Sequence, residues 1–448
     1  MCTFVFNFIK RTLSIIIIII KWIRFVYWFS MNYNIIKTDK EYAIKLKEKL
    51  ENLGILGIKL GQYICTRLDI TTPIMKTELK SFLNMNKIHS IEHTNMILNK
   101  AGVNNIILGE VIGSGSLTQV YRCHLNNMDS DKELVIKVNH PEVTNIGLEI
   151  FAVKTMIKIL SCFNKFKLFV NIDWDNFFDV IEKQLNLNNE KKNLEKYYNI
   201  YKNNIPEITV PEYIMGNMDF IVMTYCEGKP LSSYNRDDAI YIKAHNLFTC
   251  STYHTFFAHM IIHGDIHEGN ILVRDDGSIS IIDFGICVEL TDDEYSGLYA
   301  TTKFENDSTK ENCTYFVNKI VCSYDIYNNH VNIEKINNDI YEDYTKFYND
   351  SKTVNERNLS TTVDIIIKNI KKHNVLIKNN ILLFFMNLIL LESLSPYDDG
   401  NNISKIKAIV YMRKNKFFID ECSLYLDEYY NTLIKKIPHD ILEKYNIN

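Results

Sequence analysis

No CxxC pair occurs among the ten cysteines, which run from Cys2 to Cys422, and none stands near a histidine at finger spacing. That spacing argues against structural zinc, and the thiols read as reduced core residues. Positive charge is not in surplus either: 50 lysines and arginines stand against 54 acids, a formal net charge of −4. With no basic field to hold a phosphodiester backbone, nucleic acid is not an expected partner. Long apolar runs are missing as well. The uncharged run Thr12–Ile20 would span about 14 Å as a helix, against a hydrocarbon core of about 30 Å. No small-residue cleavage site follows it, which disfavours a signal peptide, and the chain has no internal repeats. What remains is 448 residues, 46% hydrophobic and 23% charged, the balance of a globular chain with room for two or three domains.

The first thirty residues carry an interfacial signature. At about 100° per residue, Lys10, Lys21 and Arg24 fall within roughly 60° of one another, while isoleucines and aromatics fill the rest of the circumference. Such a helix can lie in a membrane surface with its basic side chains snorkelling, cross it at a tilt from Phe4 to Phe29, or pack on its own domain. Membrane contact on the reducing side is the expectation for residues 1–36.

Downstream, Asp39–Asn86 has a helical pattern, and then the period changes. Ile106–Ile112, Thr118–Leu125 and Glu133–Val138 read as three strands, because β-branched residues cluster between Gly-, Asn- and Asp-rich turns. Helices are predicted over Glu149–Phe163, Trp174–Asn204 and Asp238–Ile262. Strands are predicted over Ile208–Pro211 and Phe220–Thr224, with a hairpin around the Asp275–Gly277 turn. The apolar run Ile381–Leu391, with Asn387 inside it, has the length of a buried helix.

Several motifs fall in a chemically meaningful order. Gly113-Ser114-Gly115-Ser116 lies between two predicted strands, where small residues let backbone N–H groups approach phosphates. A GxG turn is by itself weak evidence. Lys137, seventeen residues after Val120, sits inside an apolar strand, where an ammonium needs an anionic partner. His263-Gly264-Asp265-Ile266-His267-Glu268-Gly269-Asn270 matches H-x-D-x₄-N, and Asp283-Phe284-Gly285 begins thirteen residues after Asn270. Asn270 and Asp283 supply the hard oxygen ligands that Mg²⁺ takes, and Asp265 would face the γ-phosphate. A zinc site at His263 and His267 is disfavoured, because a loop with Gly264 and Gly269 is not the helix that i, i+4 ligands need. The amphipathic segment around Glu190 offers the carboxylate to orient Lys137.

Together with Lys59-Leu60-Gly61-Gln62 upstream, these residues resemble the UbiB/ADCK family of atypical kinases. Cys65-Thr66-Arg67-Leu68-Asp69 is similar to the family stretch after K-x-G-Q. VIKV with His140-Pro141, NNEKKNLEKY, VPEYI, HGDIHEGNILV and IIDFGI extend the likeness from about Glu48 to Leu290. The resemblance implies an α+β, two-lobed protein-kinase-like fold. Its parts would be a helical N-terminal K-x-G-Q extension (37–105), an N-lobe (106–228) and a helical C-lobe (229–448). It implies ATP with Mg²⁺ between the lobes and places Met223 and Tyr225 on the nucleotide. It also makes Lys59, Gly61, Gln62, Arg67 and Asp69 a gate that blocks protein substrates, and points to isoprenoid-quinone or other lipid metabolism, with a membrane lipid or lipid-like small molecule and membrane enzymes as the partners it implies.

The chain departs from the family pattern at the nucleotide loop, which commonly is alanine-rich and here carries Gly113 and Gly115. Gln184 and Thr224 stand where the family often has acids, and Cys65 replaces a serine. A true Ser/Thr protein kinase is the first alternative, opposed by the lack of A-P-E after Asp283-Phe284-Gly285. A non-catalytic, nucleotide-gated membrane adaptor is the second.

Overall fold

The computed structural model describes residues 2–67, 71–84, 88–126, 132–160, 174–202, 205–306, 309–325, 330–350, 359–396 and 402–414, with short stretches between 427 and 443. The chain divides into two compact units. One comprises residues 1–189 and 213–225, the other 190–212 and 226–448.

The first unit opens with helices α1 (Cys2–Ile36), α2 (Lys40–Asn52), α3 (Ile55–Thr66), α4 (Pro73–Leu79) and α5 (Ile91–Lys100). Local chemistry sets their starts: the Asp39 carboxylate accepts the Tyr42 N–H ahead of α2, and the Thr72 hydroxyl accepts from Met75 ahead of α4, with Pro73 in the first turn. Helices α6 (Val143–Leu160) and α7 (Trp174–Leu185) complete the layer. Its core joins Trp22, Phe25, Val26 and Phe29 of α1 to Leu46 and Leu50 of α2, Leu56 and Leu60 of α3, Ile150 of α6 and Phe177 of α7.

The outcome for the N-terminal segment is a single helix of 35 residues with two apolar stripes. Trp22, Phe25, Val26, Phe29 and Ile36 are buried, whereas Leu13, Ile16, Ile17, Ile20, Ile23, Tyr27 and Met31 are exposed. Within it, Arg11–Ile36 is long and apolar enough to cross a membrane, by length and composition alone.

Helix α6 meets α1 through a hydrogen bond from Trp22 Nε1 to Glu149 Oε1 at 3.2 Å. Burial raises the Glu149 carboxyl to about 7, with the Trp22 bond and Lys21 pulling the other way. A raised acid pKa means that the native state holds its proton more tightly than the unfolded chain. This contribution is therefore fully present below the usual carboxylate pKa and is lost as pH rises through about 7. Glu149→Gln keeps an acceptor for Trp22 without the charge. It is expected to stabilise the protein at pH 8 by on the order of 1 kcal/mol after screening, and not at pH 5. Thermal melts at the two pH values check this.

The sheet of this unit has five antiparallel strands in the order β1 (Ile106–Ser114), β2 (Thr118–Leu125), β3 (Leu134–Asn139), Phe220–Thr224 and Tyr213–Gly216. Leu134, Ile136 and Val138 of β3 share one face with Tyr121, Cys123, Phe220 and Val222, over which Leu98 of α5 packs. Since side chains alternate along a strand, Val135 and Lys137 point to the other face.

The second unit is mainly helical, matching the expected α+β class. The predicted Trp174–Asn204 helix is interrupted: α7 stops at Leu185 and α8 (Leu187–Tyr201) starts anew. Asn186 Oδ1 takes the Asn188 N–H at 3.1 Å, a local bond that competes with helix continuation. Around the Asp275–Gly277 turn, Ile271–Val273 pairs antiparallel with Ile279–Ile281, and Gly277 takes the left-handed conformation at φ +77°. Ile208–Thr209 joins that sheet in parallel. Helix Ala239–His259 is buried nearly all round, and helix Asn379–Ser393 buries Ile381, Phe384, Phe385, Asn387 and Leu391. A two-stranded ribbon pairs Val321–Asp325 with Val375–Ile377.

Candidate active site

In the first unit the glycine turn joins β1 to β2. Gly113 pairs with Val120 and Ser114 with Gln119, and the Gly115 N–H closes onto the Thr118 carbonyl at 2.8 Å. A Cβ at Gly113 would meet nothing within 4 Å, and one at Gly115 only the Thr118 oxygen at 3.9 Å. The protein's own packing therefore does not call for glycine here, and the turn is left open on that side. Ser116 follows in the same turn, and Lys137 lies on the central strand, paired with Val120 and Ile221 and only 7% exposed. Met223 is buried beside Val135 and Tyr213. The Tyr225 N–H binds the Glu133 carbonyl at 2.8 Å, and the Arg122 guanidinium caps its ring at 4.0 Å.

Of the residues expected to form a gate, Lys59, Gly61 and Gln62 lie on α3 and Arg67 directly follows it. Gln62 Nε2 donates to the Phe82 carbonyl at 2.7 Å, and a Cβ on Gly61 would collide with the Phe82 ring at 2.3 Å. The close approach that glycine permits is thus to Phe82, in the turn that follows α4. Arg67 is buried, its guanidinium bound to the Tyr63 hydroxyl at 2.5 Å. Lys59 is half-buried, and Asp69 lies outside the described residues. Gly61→Val is expected to lower stability by about 1–3 kcal/mol through overpacking. A denaturant midpoint equal to wild type would disprove that packing.

In the second unit, His263 organises the acidic residues. Its ring is buried, and its Nε2–H donates to the Asp283 backbone carbonyl at 2.6 Å. Nδ1 then accepts the Asp265 N–H at 3.3 Å, and the His263 carbonyl takes the Asn387 amide at 2.7 Å. Burial lowers the His263 pKa, which keeps the ring neutral as these bonds require. Asn270 Nδ2 is spent on the Asp265 carbonyl at 2.9 Å, so the side-chain oxygen is the atom left for a cation. The Gly285 N–H binds Asp283 Oδ1 at 2.8 Å and fixes that carboxylate.

Helix α8 holds the same region from its own side. Asn193 Nδ2 donates to the Phe284 carbonyl at 2.8 Å, and the Tyr197 ring packs on Phe284 at 4.9 Å. Glu190, 5% exposed, brings Oε2 to 4.0 Å from where a Cβ on Gly285 would sit. Burial pushes the Cys287 thiol well up, reinforced by the charges of Asp283, Glu190 and Asp265.

Among the described residues, no three His, Cys, Asp or Glu side chains gather to hold a metal ion. The donors present, one carboxylate and one amide oxygen, suit Mg²⁺ that completes its shell with phosphate and water. Motif spacing singles out Asp265, Asn270 and Asp283, and it misses Tyr197 and Asn387, which contact Phe284 and the His263 carbonyl. A polar residue inside an apolar run of eleven was the available signal for Asn387.

A family model described as the ABC1 atypical kinase-like domain matches residues 70–310, more than half of the chain. An uncharacterised Synechocystis protein is 25% identical over 291 residues, 62% of this chain and 42% of its own length. The Arabidopsis thaliana protein Activity of BC1 complex kinase 3, chloroplastic, is 26% identical over 57% of this chain and 37% of its own. The chain thus spans about two fifths of the length of these relatives. A Mycobacterium tuberculosis protein solved in complex with erythromycin superposes with a TM-score of 0.43 at 17% identity, over 52% of this chain and 61% of that one.

Proposed function

The chain belongs to the ABC1 atypical kinase-like family, and on that premise we propose that it is an ATP- and Mg²⁺-dependent phosphotransferase or ATPase of the UbiB type. The observation that carries this reading is the binding of both Asp265 and Asp283 to one neutral His263, with Asn270 tied to Asp265. Asn270 and Asp283 are the residues that would hold Mg²⁺, which when bound neutralises phosphate charge. Asp265 is the base for an acceptor hydroxyl or water, and its backbone bonds hold it in place without reorganisation. The glycine turn offers backbone N–H groups, and Lys137 an ammonium, to phosphate oxygens.

Lys137 and Glu190 are each buried within their own unit, and this reading needs both. Turnover should fall by at least about tenfold in Lys137→Met and in Glu190→Gln at matched melting temperature. Wild-type turnover in either variant would remove that residue from the site.

The same reading puts the protein at a membrane, acting on a lipid or lipid-like small molecule of the isoprenoid-quinone kind, with membrane enzymes as partners. Support comes from the exposed stripe of α1, with Arg11, Lys21 and Arg24 exposed on the same helix. Replacing Ile16, Ile17 and Ile20 together by Asn removes exposed apolar area only. Flotation with anionic liposomes should be lost while the melting temperature holds, and undiminished flotation would exclude the stripe. The decisive test of function is ATP turnover with and without those liposomes, alongside phosphate transfer to a peptide. Transfer to the peptide would favour the Ser/Thr kinase alternative, and ATP binding without turnover the adaptor.

A further inference from the structure

A buried polar chain runs from α5 to the glycine turn, and with both of its imidazoles neutral each bond in it has one direction. His140 Nε2 lies 3.0 Å from the Gly115 carbonyl oxygen, which can only accept, so that nitrogen carries the proton. In a neutral ring His140 Nδ1 is then an acceptor, and the His89 Nδ1 at 2.7 Å from it must donate. His89 Nε2 is consequently an acceptor too, and takes the Thr94 hydroxyl proton at 2.8 Å. That leaves the Tyr121 hydroxyl, 3.1 Å from Thr94 Oγ1, to donate to Thr94, while Gln119 Nε2 donates to Tyr121 at 2.6 Å.

Two further bonds brace the ends of the chain. The His89 N–H goes to Gln119 Oε1 at 2.8 Å, and the His140 N–H goes to the Leu117 carbonyl at 2.8 Å. His140 thus binds the turn at Gly115 and at Leu117, and its Nε2 also lies 3.4 Å from Ser114 Oγ. Gln119 and Thr94 are fully buried, and His140 and Tyr121 nearly so, which makes an unmade bond in this chain costly. The two imidazoles meet nitrogen to nitrogen, so the contact survives only while at least one of them is neutral. Burial, with His140 and His93 beside it, holds His89 down at about 4 against the opposing pull of Glu142.

The geometry points to His140 as a positioning residue for the phosphate-binding turn, braced in place by Thr94 acting through His89. The inference rests on the nucleotide-binding role proposed above for that turn. It gives the segment before the sheet a defined influence on the loop, through one hydroxyl on α5.

The test uses the full chain and the variants Thr94→Val, Thr94→Ser, His140→Phe and His93→Gln. His93 packs against His89 but sends its Nε2 to the Asn139 carbonyl, outside the relay, and so serves as the control. Two quantities are read at matched stability: hydrogen exchange of the Gly115 amide, which bonds Thr118 across the turn, and affinity for Mg·ATP. Thr94→Val and His140→Phe should each speed exchange and weaken Mg·ATP by roughly fivefold, the size of one buried hydrogen bond. Thr94→Ser should restore both, and His93→Gln should change neither. Unchanged Gly115 exchange in Thr94→Val, or a serine variant no better than valine, overturns the relay. Faster exchange with wild-type Mg·ATP affinity overturns the positioning role. If the wild type binds no Mg·ATP, the proposed function has failed, and faster Gly115 exchange in Thr94→Val alone upholds the relay.

Discussion

Asp283→Asn is expected to melt at the temperature of the wild type without ligand and to lose the rise that Mg·ATP produces. The amide preserves shape and keeps an oxygen for the Gly285 N–H, the bond that fixes this side chain. What it loses is the negative charge, the strongest term a hard divalent cation finds here. Bound at a hundredfold above its dissociation constant, Mg·ATP would stabilise the wild type by about 2.7 kcal/mol. The variant should show little of that shift, and its turnover should fall by two or more orders of magnitude, as loss of a metal ligand in phosphoryl transfer implies. Thermal-shift titration with and without Mg²⁺ decides the matter. Equal stabilisation of both proteins would remove Asp283 from the metal site and with it the present assignment of the site.

Removing residues 1–36 is expected to unfold the helical layer of the first unit rather than release an intact soluble protein. The deletion takes Trp22, Phe25, Val26, Phe29 and Ile36 out of a core that also holds Leu46, Leu60 and Phe177. Each buried aromatic removed costs about 3–5 kcal/mol, and a whole domain is stable by only about 5–15 kcal/mol. Circular dichroism melts and limited proteolysis of the truncated chain test this directly. A cooperative transition at the wild-type midpoint would show that α1 is an appendage. A truncation therefore cannot test membrane attachment, because solubility and foldedness change together. Substitutions confined to the exposed stripe keep the two apart.

Much of the candidate site was legible because its signals are local and chemical. His263, Asp265, Asn270 and Asp283 stand at spacings that a catalytic loop and its metal aspartate require. The strands around Lys137 could be read from alternation and β-branching, since side-chain direction in a strand follows from position alone. Helix α1 was less legible. A segment apolar around most of its circumference has no periodic signal to say which face a neighbour covers. Both stripes look alike in the sequence, and only the placement of α2, α3, α6 and α7 buries one of them.

By itself the sequence determined which residue types were available and where the backbone could turn. It placed the glycine turn, the buried lysine, the acids of the second unit and the likeness to atypical kinases. Tertiary structure decided which side chains serve which. Gln62 is spent on Phe82, twenty residues away, and His89 on His140, fifty-one away. Such bonds leave no local pattern, because their partners meet only after the chain has reversed several times. Once they are buried, the cost of leaving a donor or acceptor unpaired makes the pairing specific.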